Sequence, residues 1–213
     1  MKEARQKTIL VLAPHTDDAE FGCGGAIAKM AAEGDRVICA AFSAAEQSVL
    51  PHLSRDILRT EVREATRVLG VRDEDCLVFD FAVRRFPEFR QEILDKMIEL
   101  GNKYKPDMVF LPSINDTHQD HNTIAHEGFR AFKRTTMLGY EVPWNNLDFR
   151  TSCFIQLSKD YLDRKIAALE KYESQKGRVY ANAEFIQSLA RVRGVQTGSE
   201  YAEAFEVVRW VMR

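Results

Sequence analysis

Thr8-Ile9-Leu10-Val11-Leu12-Ala13-Pro14-His15-Thr16-Asp17-Asp18-Ala19-Glu20 is the stretch whose reading sets the fold. Residues 8–12 form an unbroken apolar run, as expected of a strand buried on both faces. A polar knot, residues 15–20, follows at once. Gly22-Cys23-Gly24-Gly25 then opens a helical stretch. Strand, polar turn and helix in that order begin a βα unit. In open α/β sheets, ligands bind outside the carboxyl ends of the strands. A second knot, Asp116-Thr117-His118-Gln119-Asp120-His121, follows the apolar run Met108-Val109-Phe110-Leu111. Strands of one parallel sheet end on the same edge, so both knots are expected at one site.

The rest of the chain keeps the same rhythm as far as the second knot. Strands are predicted over residues 8–14, 36–42, 76–81 and 107–111. Between them, helices are predicted over 24–33, from a cap at Ser54 or Asp56 to Leu69, and over 87–104. A further helix begins at Asp120 or Asn122 and runs to about Lys133. After this the alternation changes. Strands at 137–142 and 150–157 have no long helix between them, helices follow at 158–172 and 182–193, and a last strand covers 203–212. The expectation is an α/β fold: a mostly parallel sheet with helices on both faces, in a single domain over residues 1–213.

Composition narrows the function classes. The 213 residues are 45% hydrophobic with a net charge of -2, which argues against a nucleic-acid backbone or an acidic membrane surface as partner. No apolar run approaches the roughly 18 residues that span a bilayer, and residues 1–7 lack a signal-peptide core. The four cysteines (Cys23, Cys39, Cys76, Cys153) contain no Cys-x-x-Cys and read as reduced packing residues. A cytoplasmic protein is expected.

The two knots carry the chemistry. His15 and Asp18 are three apart after one strand; His118 and His121 are three apart after another. A catalytic zinc takes three protein ligands from His, Asp or Glu and keeps one position open. Two ligands from one strand end and a third from the other meet that count. Asp17, beside Asp18, suits a general base. A histidine near the metal can stabilise an oxyanion or protonate a leaving amine. Asp120 can orient a ring nitrogen. Ordinary roles compete: an Asp-Asp after a strand often caps a helix, and Asp120 could do the same. His126, within a helix, reads as structural, and His52, in a polar loop, as solvated. Gly22–Gly25 fits neither dinucleotide nor P-loop spacing and reads as close packing of helix on strand.

Together the motifs resemble those of the LmbE-like, or PIG-L, family of zinc-dependent N-acetylglucosamine deacetylases. Its usual first motif is Pro-His-Pro-Asp-Asp-Glu, or His-x-Asp-Asp-x-Glu, and its second is His-x-Asp-His. Residues 193–205 here are also similar to a late motif of its bacterial branch. The resemblance implies a Rossmann-like fold. It implies His15, Asp18 and His121 as ligands of Zn2+, with another divalent metal open as the native ion. It implies Asp17 as general base, His118 as the residue that stabilises the oxyanion or aids amine departure, and Asp120 as the partner of His118. Thr16 stands where proline is common, and Ala19 lies between the second Asp and Glu20. Many relatives carry an arginine at the position of Leu58, so substrate contacts pass to Arg55, Arg59 and Arg193 as candidates. The loop 44–55, with Glu46, Gln47, Ser48 and His52, is a candidate sugar-facing segment. The implied reaction removes acetyl from an N-acetylated amino sugar and releases acetate. The alternatives are an amidase acting on a larger conjugate and a nucleotide-binding Rossmann protein that uses Gly22–Gly25 at a helix N-terminus. The expected partner is a small amino sugar, with no nucleic acid and no membrane span; the oligomeric state stays open, homo-oligomer included.

Overall fold

The first apolar run becomes strand β1 (Thr8–Ala13) at the centre of a sheet, in a computed structural model that describes residues 5–212. Side chains alternate across it. Ile9, Val11 and Ala13 enter one apolar cluster, and Leu10 and Leu12 the opposite one, so the run has no polar face to show. β2 (Arg36–Ala41) and β3 (Cys76–Val78) extend the sheet on one side of β1. β4 (Met108–Pro112) and β5 (Thr136–Tyr140) extend it on the other. These five strands are parallel, in the order β3-β2-β1-β4-β5. The direction of growth therefore reverses between β1 and β4, which makes that gap the topological switch point.

Helices α1 (Asp18–Ala32) and α2 (Ile57–Val68) cover one face with α5 (Lys159–Leu169). Helices α3 (Arg90–Tyr104) and α4 (Gln119–Ala131) cover the other. The mostly parallel sheet with helices on both faces is as expected. No helix among the described residues is long and apolar enough to cross a membrane.

The last third departs from the reading. The closing strand is β7 (Tyr201–Arg209) rather than 203–212, and it is antiparallel. It inserts between β5 and β6 (Cys153–Leu157), giving the full order β3-β2-β1-β4-β5-β7-β6. Helix α6 (Ala183–Val195) packs beside it in a third apolar cluster with Phe21, Leu157 and Tyr201.

Helix α1 also starts six residues before the expected position 24. It is broken at Cys23, whose φ of -148° and ψ of 25° are not helical. A buried ion pair mends the break. Lys165 donates to the Phe21 carbonyl at 2.7 Å, and Glu203 accepts the Gly25 and Ala26 amides at 3.0 and 2.7 Å. The two side chains meet at 2.6 Å. Glycine is required on both sides of the kink: a Cβ on Gly22 would sit 2.2 Å from the Tyr140 ring, and one on Gly25 2.4 Å from Leu157. The glycines thus serve close packing. The amides that a phosphate would need are already bound to Glu203.

Candidate active site

Both polar knots leave the sheet at the switch point, one on each side of it. The turn after β1 carries His15 and Asp17 into α1, so Asp18 is the first helical residue. The turn after β4 carries Asp116 and His118 into α4, which holds Asp120 and His121 in its first turn. Asp18 Oδ2 lies 3.1 Å from His15 Nδ1 and 3.3 Å from His121 Nε2. The same oxygen accepts the His15 amide at 2.8 Å, which fixes its orientation.

Each histidine is held from behind by a carboxylate. His15 Nε2 is 2.9 Å from Asp120, and His121 Nδ1 is 2.8 Å from Asp116. Asp116 opens the second knot, but sequence reasoning gave it no role. Its signal was its place five residues before His121, next to a strand end. Asp120 requires a correction. Its carboxylate serves His15, not His118, and also accepts the amides of Arg84 at 2.6 Å and Phe86 at 3.2 Å. What reaches His118 is the Asp120 backbone N–H, which donates to His118 Nδ1 at 3.2 Å. His118 is therefore the N-cap of α4, in place of the expected Asp120 or Asn122. With Nδ1 accepting, the hydrogen of a neutral His118 ring sits on Nε2. Asp17 takes the N-cap position of α1, yet its side chain makes no cap bond. Its carboxylate lines the cleft instead.

The electrostatics follow from burial and proximity. Burial lifts the Asp17 carboxyl to about 6, helped by the Asp18 charge. Burial works against ionisation of Asp18 too, but the charge of His121 and bonds from His121 and His15 hold it far below the usual carboxylate range. Burial disfavours a charged His15, but Asp120 and Asp18 outweigh it and raise the ring to about 9. Asp18 and Asp116 likewise overcome burial and lift His121 to about 10. His118 moves the other way, lowered by burial and by its histidine neighbours. Glu20, at the end of the first knot, is fully buried and raised by that burial to about 8, with Tyr172 donating to it at 3.1 Å.

The donor set fits a metal. Candidate ligand atoms of His15, Asp18 and His121 lie within 4.8 Å of one another. Two nitrogens and one carboxylate oxygen suit zinc, and carboxylates fix the far side of both rings, as in most histidine metal sites. His15, His118 and Asp120 satisfy the same distance limit. There, however, Asp120 is committed to His15 and two backbone amides, and His118 Nδ1 to a third.

A cleft of about 420 Å³ opens above these groups, within the range of small-molecule sites. Its floor includes His15, Asp17, Asp18, His118 and His121. One wall is aromatic: Trp144 stacks on Tyr180 at 3.9 Å, with Phe21 edge-on to both. None of the three arginines expected to touch substrate lines this cleft. Arg55 is exposed on the surface outside it. Arg59 is drawn to Glu46 and Asp80 beside a separate shallow recess. Arg193 is held by Glu141, with Gln196 at 3.1 Å. Of the loop 44–55, Ala45, Ser48 and Val49 line the cleft; His52 does not, and His126 is exposed elsewhere. The cleft's arginines are Arg84 and Arg178. Arg84 follows the third strand, so the edge rule that found His15 could have found it. Arg178 lies in an irregular segment with no such signal.

A family model described as PIG-L, GlcNAc-PI de-N-acetylase, matches residues 10–132. The "Uncharacterized deacetylase YaiS" of Escherichia coli (strain K12) is 26% identical over 176 residues, covering 80% of this chain and 92% of that protein. The diacetylchitobiose deacetylase of Thermococcus kodakarensis is 25% identical over an alignment of 228 residues, covering 95% of this chain and 83% of that protein. Among solved structures, GalB, the 4-carboxy-2-hydroxymuconate hydratase of Pseudomonas putida KT2440, superposes with a TM-score of 0.78 at 20% identity, covering 98% of each chain. The N,N'-diacetylchitobiose deacetylase from Pyrococcus horikoshii superposes with a TM-score of 0.79 at 22% identity, covering 95% of this chain and 84% of that one; a deacetylase and a hydratase on similar folds mean that fold likeness alone names no reaction.

Proposed function

The chain belongs to the PIG-L, or GlcNAc-PI de-N-acetylase, family, and from that premise we propose that it is a metal-dependent deacetylase that removes acetyl from an N-acetylated amino sugar or its conjugate. The observation that carries this reading is the pairing, on one cleft floor, of a His-His-Asp donor set with a carboxylate left free of its helix. His15, Asp18 and His121 would hold the ion, with zinc the best match to two imidazoles and a carboxylate. Bound there, a divalent ion supplies Lewis acidity to the acetyl carbonyl and makes water a stronger acid.

The chain's own residues account for the proton movements. Asp17 takes a proton from the water as its oxygen bonds to the acetyl carbon and the carbonyl electrons move onto oxygen. His118, kept neutral by burial, donates from Nε2 to that oxyanion. The carbon–nitrogen bond then breaks, Asp17 passes its proton to the departing amine, and acetate leaves. Asp120 and Asp116 keep the two ligand rings in orientation. Trp144 and Tyr180 supply the apolar wall against which a sugar ring can lie.

The test uses metal content and acetate release together. Wild type should carry about one divalent ion per chain, and His121→Ala should lose it. Asp17→Asn should keep the metal and lose activity on N-acetylglucosamine derivatives on the order of 10²-fold or more. Equal metal content in wild type and in His15→Ala/His121→Ala would end the metal assignment. Near-normal turnover by Asp17→Asn would remove it from the mechanism.

A further inference from the structure

The connector between α5 and α6, residues 170–182, is mostly exposed, and Tyr172 is its one buried residue. It still supplies one side of the cleft, with Ser174, Gln175, Arg178 and Tyr180 on the lining. An irregular, exposed segment keeps one position only where something ties it down. Two side chains do so here, and both reach buried acids of other helices. The Tyr172 hydroxyl donates to the Thr16 carbonyl at 2.7 Å and meets the Glu20 carboxyl of α1 at 3.1 Å. Two residues on, Glu61 of α2 accepts the Ser174 amide at 3.1 Å and the Ser174 hydroxyl at 2.6 Å. Glu20 and Glu61 are 0% and 4% exposed. A carboxyl group is costly to bury unless it is hydrogen-bonded, so both contacts are held from the core side as well.

The first tie ends next to Asp17. The Thr16 carbonyl belongs to the peptide that precedes Asp17, and the Asp17 carbonyl accepts the Phe21 amide at 3.0 Å. Both peptides that flank Asp17 are thus held. Its side chain makes no cap bond, so those two peptides set where the carboxylate points. Asp18 differs, because the His15 amide and two imidazoles grip its carboxylate directly. Loss of the Tyr172 hydroxyl should therefore disturb Asp17 and spare the metal ligands.

The second tie starts the cleft wall. Three successive turns carry the chain from Tyr172 to Ala181. The Gln175 amide donates to the Tyr172 carbonyl at 3.1 Å, Arg178 to Gln175 at 3.2 Å and Ala181 to Arg178 at 3.0 Å. Tyr180 rides on the last turn, stacked on Trp144. Ser174 lies within the first turn, and Glu61 fastens it there without lining the cleft itself.

We infer that Tyr172 and Glu61 are positioning residues for separate parts of one reaction: Tyr172 aims the base Asp17, and Glu61 holds the wall on which the sugar rests. The words base and sugar rest on the deacetylase reading; the two ties do not.

The experiment compares zinc-loaded wild type with Tyr172→Phe, Glu61→Ala and Glu61→Gln. Acetate release from the methyl glycoside of N-acetylglucosamine gives kcat and KM. Hydrogen exchange read by mass spectrometry follows residues 15–21 and 173–182. Tyr172→Phe keeps the buried ring and should lower kcat about 10–100-fold, the scale of a misaimed catalytic group, with KM and zinc content as in wild type. Exchange should quicken more in 15–21 than in 173–182. Glu61→Ala should raise KM about tenfold, more than it lowers kcat, and quicken exchange in 173–182. Glu61→Gln keeps an oxygen for the Ser174 amide and should recover most of the KM. If Glu61→Ala fails to fold, Glu61→Asp, whose shorter arm breaks the same contacts, carries the same expectation. A normal kcat in Tyr172→Phe overturns the inference. So does zinc loss that matches its fall in activity, since Tyr172 would then serve the ligands rather than the base. A Glu61→Ala effect confined to kcat overturns it as well, and unchanged exchange in both variants removes the ties themselves. The two exchange patterns in a protein that releases no acetate from any N-acetylglucosamine derivative would sink the deacetylase reading and leave both ties standing.

Discussion

The first turn of α1 has buried charge at both ends, and the two ends differ in kind. At the kink, one lysine meets one glutamate, each 6% exposed, and between them they bind the Phe21 carbonyl and the Gly25 and Ala26 amides at the break. At the other end, Asp17, Asp18, Asp116 and Asp120 surround three histidines, one of which burial keeps neutral. There four carboxylates outnumber the two charged imidazoles they surround, and two of them, Asp17 and Asp18, face a cleft. A closed one-to-one pair can do no more than hold its neighbours in place. A surplus that opens on a cavity attracts a positive ion from outside. The contrast in stoichiometry and access, rather than burial alone, separates structural charge from functional charge here.

The largest effect should come from opening the closed end. Lys165→Met leaves Glu203 buried without its counter-ion and should cost about 3–5 kcal/mol of stability in chemical denaturation. Lys165→Met/Glu203→Leu should recover only part of this, because the Phe21 carbonyl and the Gly25 and Ala26 amides stay unpaired. A single-variant cost below about 1 kcal/mol, the level of an exposed pair, would erase the distinction between the two ends.

Next comes the open end. Asp120→Asn and Asp116→Asn each remove a carboxylate that orients a ligand ring. Each should weaken metal binding about 10–100-fold in competition with a chelating dye. Wild-type affinity in both variants would mean that the rings need no such support.

A buried carboxylate held by two partly exposed arginines gives the smallest effect and a pH signature. Asp75 is held below the usual carboxylate range, against its own burial, by Arg36 and Arg72, whose side chains are partly in water. A carboxylate whose folded pKa is depressed stabilises the fold above its unfolded pKa of about 3.9 and loses that contribution as pH falls through the folded value. Asp75→Asn should therefore sit about 1 kcal/mol below wild type from pH 5 to 8, and the gap should close below pH 4. A gap that stays constant down to pH 2 would assign Asp75 a role that does not depend on its charge.

The sheet and the two knots were legible because they rest on local pattern. Ile9 to Leu12 has no polar alternate and must be covered on both sides, and His15 and His118 directly follow apolar runs. What local pattern missed was long-range. Gly22–Gly25 reads as a helix start because three glycines in four residues are weak helix formers. Contacts with Tyr140, Lys165 and Glu203, more than a hundred residues away, allow the helix to begin earlier. The antiparallel insertion of β7 carries no periodicity of its own. The three arginines proposed from sequence were chosen by proximity to the motifs along the chain. Arg59 and Arg193 find carboxylates first, and Arg55 stays outside the cleft.

The mended kink bears on how this protein can be divided. Every residue given a metal or proton-transfer role precedes Asn122, and the family match ends at residue 132. Yet the turn that carries Asp17 and Asp18 is seated from beyond that limit. Tyr172 ties the Thr16 carbonyl at 2.7 Å to the Glu20 carboxyl at 3.1 Å, Lys165 takes the Phe21 carbonyl, and Glu203 takes the amides after the break. A truncated gene product ending at Ala131 would hold the full catalytic alphabet and lack the three side chains that spell it into order. The motif-bearing half is therefore not a portable cassette: grafted without α5 and β7, it would take its residues to a new scaffold and leave their alignment behind.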